Sequence, residues 1–372
     1  MNARPFGPTW RRGWVVRALF ALLLAQLAGC AQLVPQTIGL RTDWPAGVPE
    51  RTEISELPFF PQTDYQCGPA ALATVLAHSG VAITPEPLVS QVWLPSRRGS
   101  LQIEMLAAPR RYGRASYVLA PRFADLLREV AAGHPVLVLQ DVGLIAPQWH
   151  YAVVNGFDYA SGSIYLRSDI RPRVVMPFTA FERSWMQGGY WAMVAQRPDR
   201  IPVSASESGW IEAVLALERA HADGGVGMQA AWTAALQRWP NSLPAAVGLA
   251  NQHYARRELT VAAEVLREAH RRHPKSAVVI NNLAQTLSDL GHHAVALQVL
   301  QNAGGEAAQV FSVELAATRA QIELRSRQEI SPGAPAVTKT EASQVQPVQP
   351  RRGARKAPRR AAPSARERPA SP

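Results

Sequence analysis

The stretch Gln62–Leu72, QTDYQCGPAAL, decides how the first half of this 372-residue chain is interpreted. Its Gly68-Pro69 step begins a helix of Ala and Leu, because proline is tolerated in the first turn, where its missing N–H costs no hydrogen bond. Cys67 therefore lies at a helix N-terminus, where unpaired N–H groups and the helix dipole favour a thiolate. The pattern predicts a reactive thiol.

The chain has one other cysteine, Cys30, at the end of an export signal. Four arginines precede the apolar run Ala18–Ala25, which is too short for the roughly 20 residues that span a bilayer. The sequence Leu27-Ala28-Gly29-Cys30 resembles the lipobox of bacterial lipoproteins, whose cysteine is acylated and becomes the new N-terminus. An ordinary cleavable signal is the alternative. Because Ala31 is not the Asp that retains such proteins in the inner membrane, the resemblance implies an outer-membrane anchor facing the periplasm.

An acylated Cys30 leaves Cys67 without an intrachain disulfide partner in a compartment that oxidises thiols. Two non-catalytic explanations stay open: Cys67 is a buried cysteine that acts as a small hydrophobe, or it forms an intermolecular disulfide. The polar residues before Cys67, from Asp64 to Gln66, are typical of a turn into a helix and not of a core run. They favour a nucleophile.

A nucleophilic thiol needs a base, and residues 56–197 contain three histidines. His78 lies on the same helix about 16 Å from Cys67, too far for a hydrogen bond. His134 is most simply a solvated loop residue. His150 begins a predicted strand, where its side chain can face the helix N-terminus, and it is the predicted base.

An imidazole base needs an orienting acceptor on the adjoining strand. The predicted strands His150–Phe157 and Ile164–Asp169 form a hairpin, which brings Asp169 back beside His150. Asp158 lies in the turn and is explained as a turn former. Gln62, upstream of the thiol, can supply a side-chain N–H to an oxyanion.

In order and spacing, Gln62, Cys67-Gly68, His150 and Asp169 resemble the papain-like cysteine peptidases that cleave double-glycine leaders from bacteriocins. The resemblance covers residues 56–197 and implies that Cys67 is the nucleophile, His150 the general base and acid, Asp169 the orienting carboxylate and Gln62 the oxyanion donor. The family often follows its aspartate with proline, whereas Ile170 follows here. Because no transporter is attached, the leader-peptide substrate is not carried over.

A 34-residue period marks the second half of the chain. Trp239-Pro240-Asn241 recurs as His273-Pro274-Lys275, and Leu249-Ala250 recurs as Leu283-Ala284. The period resembles tetratricopeptide repeats, in which paired helices stack. A plain helical hairpin domain is the alternative.

These patterns predict an α+β papain-like peptidase domain followed by an all-α repeat domain of the tetratricopeptide type. The predicted boundaries are a signal over 1–29, a tether over 30–55, the peptidase domain over 56–197, a linker over 198–208, repeats over 209–328, and a disordered Pro/Ala/Arg-rich tail over 329–372.

Net charge excludes nucleic-acid binding by the folded part. Of the formal charge of +11, residues 1–29 contribute +4 and residues 351–372 contribute +7, so residues 30–350 are neutral. The basic tail is interpreted as a solvated spacer. No metal cluster, phosphate loop or cofactor motif is visible in the sequence, and the expectation is no cofactor.

The predicted function is a lipid-anchored cysteine peptidase of the cell envelope. Its expected partners are a peptide or protein substrate, a protein docked on the repeats and the membrane through the lipid on Cys30. Two alternatives stay open, a non-catalytic envelope scaffold and an amidase or acyl transferase that uses the same triad.

Overall fold

The structure is a computed structural model that describes residues 34–61, 66–143, 145–221, 227–301, 303 and 309–330. The chain divides after His253 into two compact units. The predicted lipidation residue Cys30, the predicted oxyanion donor Gln62 and residues 331–372 of the predicted tail lie outside the described residues. Within the described part, no helix is both long and apolar enough to cross a membrane.

An antiparallel sheet forms the centre of the first unit. The described strands of this unit are β1 (Arg51–Glu53), β2 (Trp93–Leu94), β3 (Gly99–Ser100), β4 (Ala115–Val118), β5 (Val136–Asp141), β6 (Trp149–Asp158), β7 (Ser163–Ser168), β8 (Arg171–Pro177) and β9 (Ala192–Gln196). Six strands follow the order β4-β9-β5-β6-β7-β8, and β1 pairs with the far end of β6. Strands β2 and β3 pair as a separate ribbon.

Helices alternate with the strands of the first unit, and all described elements after β9 are helices. The first unit contains α1 (Pro35–Thr42), α2 (Cys67–His78), α3 (Glu86–Val92), α4 (Gln102–Arg111), α5 (Phe123–Ala131), α6 (Phe178–Gln187), α7 (Glu207–Ala220) and α8 (Met228–Arg238). Helix α9 (Leu243–Ala255) crosses the division, and α10 (Leu259–Arg272), α11 (Ala277–Asp289), α12 (His293–Gln301) and α13 (Ser312–Ile330) follow. The arrangement is α+β followed by helices.

Helix α2 is the apolar centre of the site-bearing region. It confirms the helix predicted from Gly68-Pro69, and its residues from Gly68 to Leu76 are all buried. A helix that is apolar all round belongs in a core, and α2 packs against β6. The helix therefore holds its first residue, Cys67, at a fixed place beside the sheet.

The predicted β-hairpin between the histidine strand and the aspartate strand is confirmed. Strands β6 and β7 pair antiparallel around the turn, with Phe157 opposite Ile164 and Asp158 opposite Ser163. Asp158 accepts a hydrogen bond from the backbone N–H of Ser161 at 3.1 Å, as its role as a turn former requires.

The segment predicted as an extended tether over residues 30–55 is folded from Val34 onward. Residues 35–42 form α1, and Thr37 and Leu40 are buried. The buried carboxylate of Glu182 on α6 accepts hydrogen bonds from the backbone N–H groups of Gln36 at 3.0 Å and Thr37 at 2.6 Å. These N–H groups have no partner inside the helix, so Glu182 fastens α1 to the domain.

Residues 198–208, predicted as a linker, are held by hydrogen bonds from both sides. The backbone N–H of Ser204 donates to the buried Glu129 at 2.6 Å, and the backbone N–H of Ser206 donates to the hydroxyl of Tyr117 at 3.2 Å. The guanidinium of Arg238 donates to the carbonyls of Pro202 and Val203. Helix α7 contacts β4, and the first compact unit accordingly extends to His253.

Helices of the second half begin at a regular interval. Helix α9 begins at Leu243 and α11 at Ala277, while α10 begins at Leu259 and α12 at His293. Each interval equals the 34-residue period of the sequence. In the second unit, α11 is buried along nearly its whole length and contacts α10, α12 and α13, as paired helices in a stack do.

Candidate active site

A cavity of about 1060 Å³ lies at the N-terminus of α2. Cys67, His150 and Asp169, the predicted nucleophile, base and orienting carboxylate, all line it. Their elements are far apart in the chain, and the sheet brings them to one place because β6 contacts α2 on one side and pairs with β7. Gln62, the fourth predicted residue, lies outside the described residues.

The Cys67 thiol is half-buried and reduced, and it packs against the core that α2 forms with the sheet. Burial raises the pKa of the Cys67 thiol above its ordinary value. Hydrogen bonds from the backbones of Tyr151, Gly68 and Cys67 itself lower that pKa, but their effect is smaller. The expectation that the helix N-terminus makes this thiol a thiolate is therefore corrected, because desolvation outweighs the helix terminus.

Alkylation by iodoacetamide will report this pKa. We expect the rate at Cys67 to rise with pH along a curve whose midpoint lies above the ordinary value of 9.0, because only the thiolate reacts. The rate is measured at Cys67 by peptide mapping of the full chain, and the same cysteine in concentrated urea serves as the unburied control. A native midpoint below the urea midpoint would contradict the dominance of burial.

The His150 ring lies near the start of β6 and hydrogen-bonds a residue on the neighbouring strand. Its Nε2 lies 2.8 Å from the Oγ of Ser168. Burial lowers the pKa of His150, and the negative charge of Asp169 raises it by a smaller amount. His150 is therefore a neutral imidazole at neutral pH, which is the form a general base requires.

Asp169 occupies the turn between β7 and β8, since Ser168 pairs with Arg171 across Asp169 and Ile170. Its backbone is left-handed, with φ of 57°, and its carboxylate is exposed. Asp169 faces the cavity and acts on His150 through its charge. The hydrogen-bond partner of Nε2 is the hydroxyl of Ser168. Ser168 was not among the predicted site residues, although it directly precedes the aspartate.

Ser100, which lines the cavity, packs closely against the start of α2. A Cβ placed on Gly68 would lie 2.2 Å from the Oγ of Ser100, so the side chain of Ser100 fills the space that glycine leaves. The hydroxyl of Tyr151, buried beside Cys67, donates to the carbonyl of Ser100 at 3.2 Å. Only glycine at position 68 permits this approach.

The other two histidines of the domain have structural partners. Nε2 of His78 contacts the carbonyl of Gly133 at 2.9 Å. Nδ1 of His134 lies 2.7 Å from the buried carboxylate of Glu129, so His134 is not the solvated loop residue that the sequence predicted. Among the described residues, no group of three or more His, Cys, Asp or Glu side chains is placed to hold a metal ion.

This geometry agrees with a match to a known family. Residues 54–193 match the Peptidase_C39 like family. The chain thus carries a C39-like domain, which contains α2, β6 and the cavity. The matched residues make up less than half of the chain and lie inside the first compact unit. A comparison with curated proteins finds no match.

Three solved structures are similar to the C39-like domain. A double-glycine motif protease from an AMS/PCAT transporter, solved with its leader peptide, is 21% identical, with a TM-score of 0.30 over 38% of this chain and 93% of that chain. A C39-like peptidase from Bacillus anthracis is 19% identical, with a TM-score of 0.34 over 39% and 96%. The peptidase domain of Streptococcus ComA, a bifunctional ABC transporter of a quorum-sensing pathway, is 22% identical, with a TM-score of 0.31 over 38% and 98%.

Proposed function

We propose that the C39-like domain is a cysteine peptidase in which Cys67 is the nucleophile and His150 the general base. The observation that carries the proposal is the placement of a free thiol at the first residue of α2 and a neutral imidazole on β6 in the walls of one cavity. Asp169, which lines the same cavity, adds a negative charge that favours the imidazolium formed during reaction.

The hydrogen bond between His150 and Ser168 gives the two ring nitrogens of His150 different roles. When Nε2–H donates to the Ser168 hydroxyl, Nδ1 carries the lone pair and can accept the proton of the Cys67 thiol. The sulfur attacks the substrate carbonyl as that proton passes to His150, so the thiol does not have to be ionised before substrate binds. The imidazolium then protonates the departing amine, and water hydrolyses the thioester with His150 again as base.

Backbone N–H groups at the start of α2 are the described candidates for oxyanion donors. The backbones of Cys67 and Gly68 already act on the sulfur, and N–H groups at a helix N-terminus suit a developing negative charge. Gln62 is proposed as a further donor from the segment that precedes α2.

Peptide hydrolysis is tested with a library of quenched fluorescent peptides and the full chain. We expect cleavage products with new amino termini and, after acid quenching, a thioester on Cys67 detected by mass spectrometry. A chain that cleaves no peptide and forms no acyl adduct would overturn the proposal and favour the scaffold. An adduct formed from non-peptide amides alone would favour the amidase.

Two variants separate the roles of Ser168 and Asp169. We expect Ser168→Ala to lower kcat by about 10-fold to 100-fold, because a base that is misplaced by a fraction of an ångström loses rate, while the acid limb of the pH–rate profile stays in place. Asp169→Asn removes the charge that raises the pKa of His150. The acid limb then moves to lower pH, because the imidazole stays neutral further into acid.

Steady-state kinetics from pH 4 to 9 on one cleaved peptide measure both effects. Ser90→Ala, an exposed serine that does not line the cavity, is the matched control. A larger loss of kcat in Asp169→Asn than in Ser168→Ala would indicate that the Asp169 carboxylate, and not the Ser168 hydroxyl, orients the His150 ring.

Attachment and docking complete the proposal. Lipid on Cys30 would hold the enzyme at the outer membrane facing the periplasm, and the helices of 34-residue period would bind a substrate protein or partner. The support for these roles is the lipobox-like sequence and the helical period. Palmitate labelling of the full chain and of Cys30→Ala tests the anchor.

A further inference from the structure

The ladder between β7 and β8 is irregular just before the turn that carries Asp169. Across the irregularity, Arg167 on β7 lies opposite two residues of β8, Pro172 and Arg173. Pro172 has no N–H to donate to the neighbouring strand. A bulge of this kind leaves backbone groups unpaired and lets the strand bend. The backbone ladder therefore holds the Asp169 turn less firmly than it holds the rest of the hairpin.

The position of the Asp169 carboxylate depends on this turn. Asp169 is exposed, and its left-handed backbone, with φ of 57°, is uncommon for a residue other than glycine. Within the described part of the chain, no residue donates a hydrogen bond to its carboxylate. The next residue, Ile170, is 67% exposed, so packing of the turn adds little. The charge of Asp169 nevertheless acts on His150, which requires a turn that is held in place.

The side chain of Arg167 supplies an attachment for the turn. One end of its guanidinium, Nη1, donates to the carbonyl of Pro172 on the far side of the turn. The other end, Nη2, donates to the carbonyls of Leu57 at 3.4 Å and Ser55 at 3.5 Å. Leu57 is buried in the core that packs around α2, and Nε of Arg167 has almost no access to water. The guanidinium thus ties the turn to the body of the domain.

We propose that Arg167 is a positioning residue, which holds the β7–β8 turn so that the Asp169 carboxylate stays within reach of His150. This inference rests on the proposed function, because the charge of Asp169 affects catalysis only if His150 is the base. A guanidinium suits the role, since its planar fork donates to carbonyls of two different segments at once. Arg167 does not line the cavity, so it acts through Asp169 and not on the reacting atoms.

The pKa of His150 reports where the Asp169 charge lies. The charged or titratable residues that line the cavity with His150 are Cys67, Arg97, Arg98, Tyr151 and Asp169. Glu53 and Arg173 are the charged groups that act on Arg167. Asp169 raises the pKa of His150, whereas loss of the positive charge of Arg167 would by itself raise that pKa further. A fall in the pKa after Arg167 is replaced therefore indicates displacement of Asp169 and not loss of a charge.

NMR titration of the full chain with isotope-labelled histidine measures this pKa, and the His150 signal is assigned by its loss in His150→Gln. We expect Asp169→Asn to lower the pKa of His150 and Arg167→Met to lower it by a smaller amount. The double variant should titrate no lower than Asp169→Asn alone, because Arg167 has no charge left to position. Arg200→Met removes an exposed arginine that does not line the cavity and should leave the pKa unchanged.

Kinetics and a second variant complete the test. On a cleaved peptide, Arg167→Met should lower kcat about threefold to tenfold with little change in KM, because a displaced charge stabilises the imidazolium less. If Arg167→Met does not fold, Arg167→Lys replaces it, because an ammonium lacks the fork whose two ends reach Pro172 and Leu57. A pKa of His150 that stays the same or rises in the folded variant overturns the proposal, as does a further fall in the double variant.

The titration does not depend on hydrolysis, so the two proposals can fail separately. A pKa of His150 that falls as expected in a protein that cleaves no peptide leaves the positioning of Asp169 by Arg167 standing and removes the peptidase. Cleavage by a protein whose His150 does not respond to Arg167→Met does the reverse.

Discussion

Replacing Cys67 with alanine should abolish peptide hydrolysis, with a loss of kcat of roughly 1000-fold or more. In the proposed mechanism the Cys67 sulfur attacks the substrate carbonyl, and alanine offers His150 no proton to accept. Packing changes little, because Cys67 is only half-buried and the lost apolar contact costs about 1 kcal/mol. Turnover of a library peptide and a thermal melt measure the two effects together.

Ser90→Ala is again the control for the Cys67 variant, and it should keep both turnover and melting temperature. Activity that survives in Cys67→Ala would mean that another group performs the chemistry. A protein that fails to fold after this change would instead support the explanation of Cys67 as a buried hydrophobe.

The largest effect on stability is expected for Glu182→Ala. Its carboxylate is fully buried and accepts hydrogen bonds from the backbone N–H groups of Gln36 and Thr37 and from the Tyr190 hydroxyl. Removing it leaves these donors without an acceptor, which costs about 2–4 kcal/mol. The melting temperature should fall by about 5–15 °C.

Hydrogen exchange locates the effect of the Glu182 variant. The amides of α1 should exchange faster in Glu182→Ala, because the helix loses its attachment to α6, while the amides of α2 should change less. Glu56→Ala removes an exposed carboxylate of the same unit and should leave both readouts unchanged. Unaltered exchange in α1 would show that its apolar contacts hold it without Glu182.

Local patterns predicted the elements that carry the site. The proline step placed the start of α2 within one residue, and the predicted strands His150–Phe157 and Ile164–Asp169 coincide with most of β6 and β7. Strand β8 was missed because Pro172 and four exposed positions hide its alternation at the sheet edge. An edge strand that is mostly exposed has little of the burial on which such a pattern depends.

Distances between elements could not be read from the sequence. Nothing local distinguishes Ser168 from its neighbours until the hairpin register sets its hydroxyl against His150. The raised pKa of Cys67 likewise depends on how deeply the sheet buries the helix N-terminus. The cysteine and histidine were predictable because their residue types are rare in the domain, whereas a serine on a strand is common.

The segment between β9 and α7 limits where this protein can be cut or recombined. Ending the chain at residue 193, where the family match stops, would remove the Ser204 N–H from a carboxylate that has no access to water. It would also strip α7, with its buried Trp210, from the face of β4. A proteolytic cut, a fusion junction or an evolutionary exchange of domains is therefore better tolerated beyond the first compact unit than at the edge of the C39-like domain.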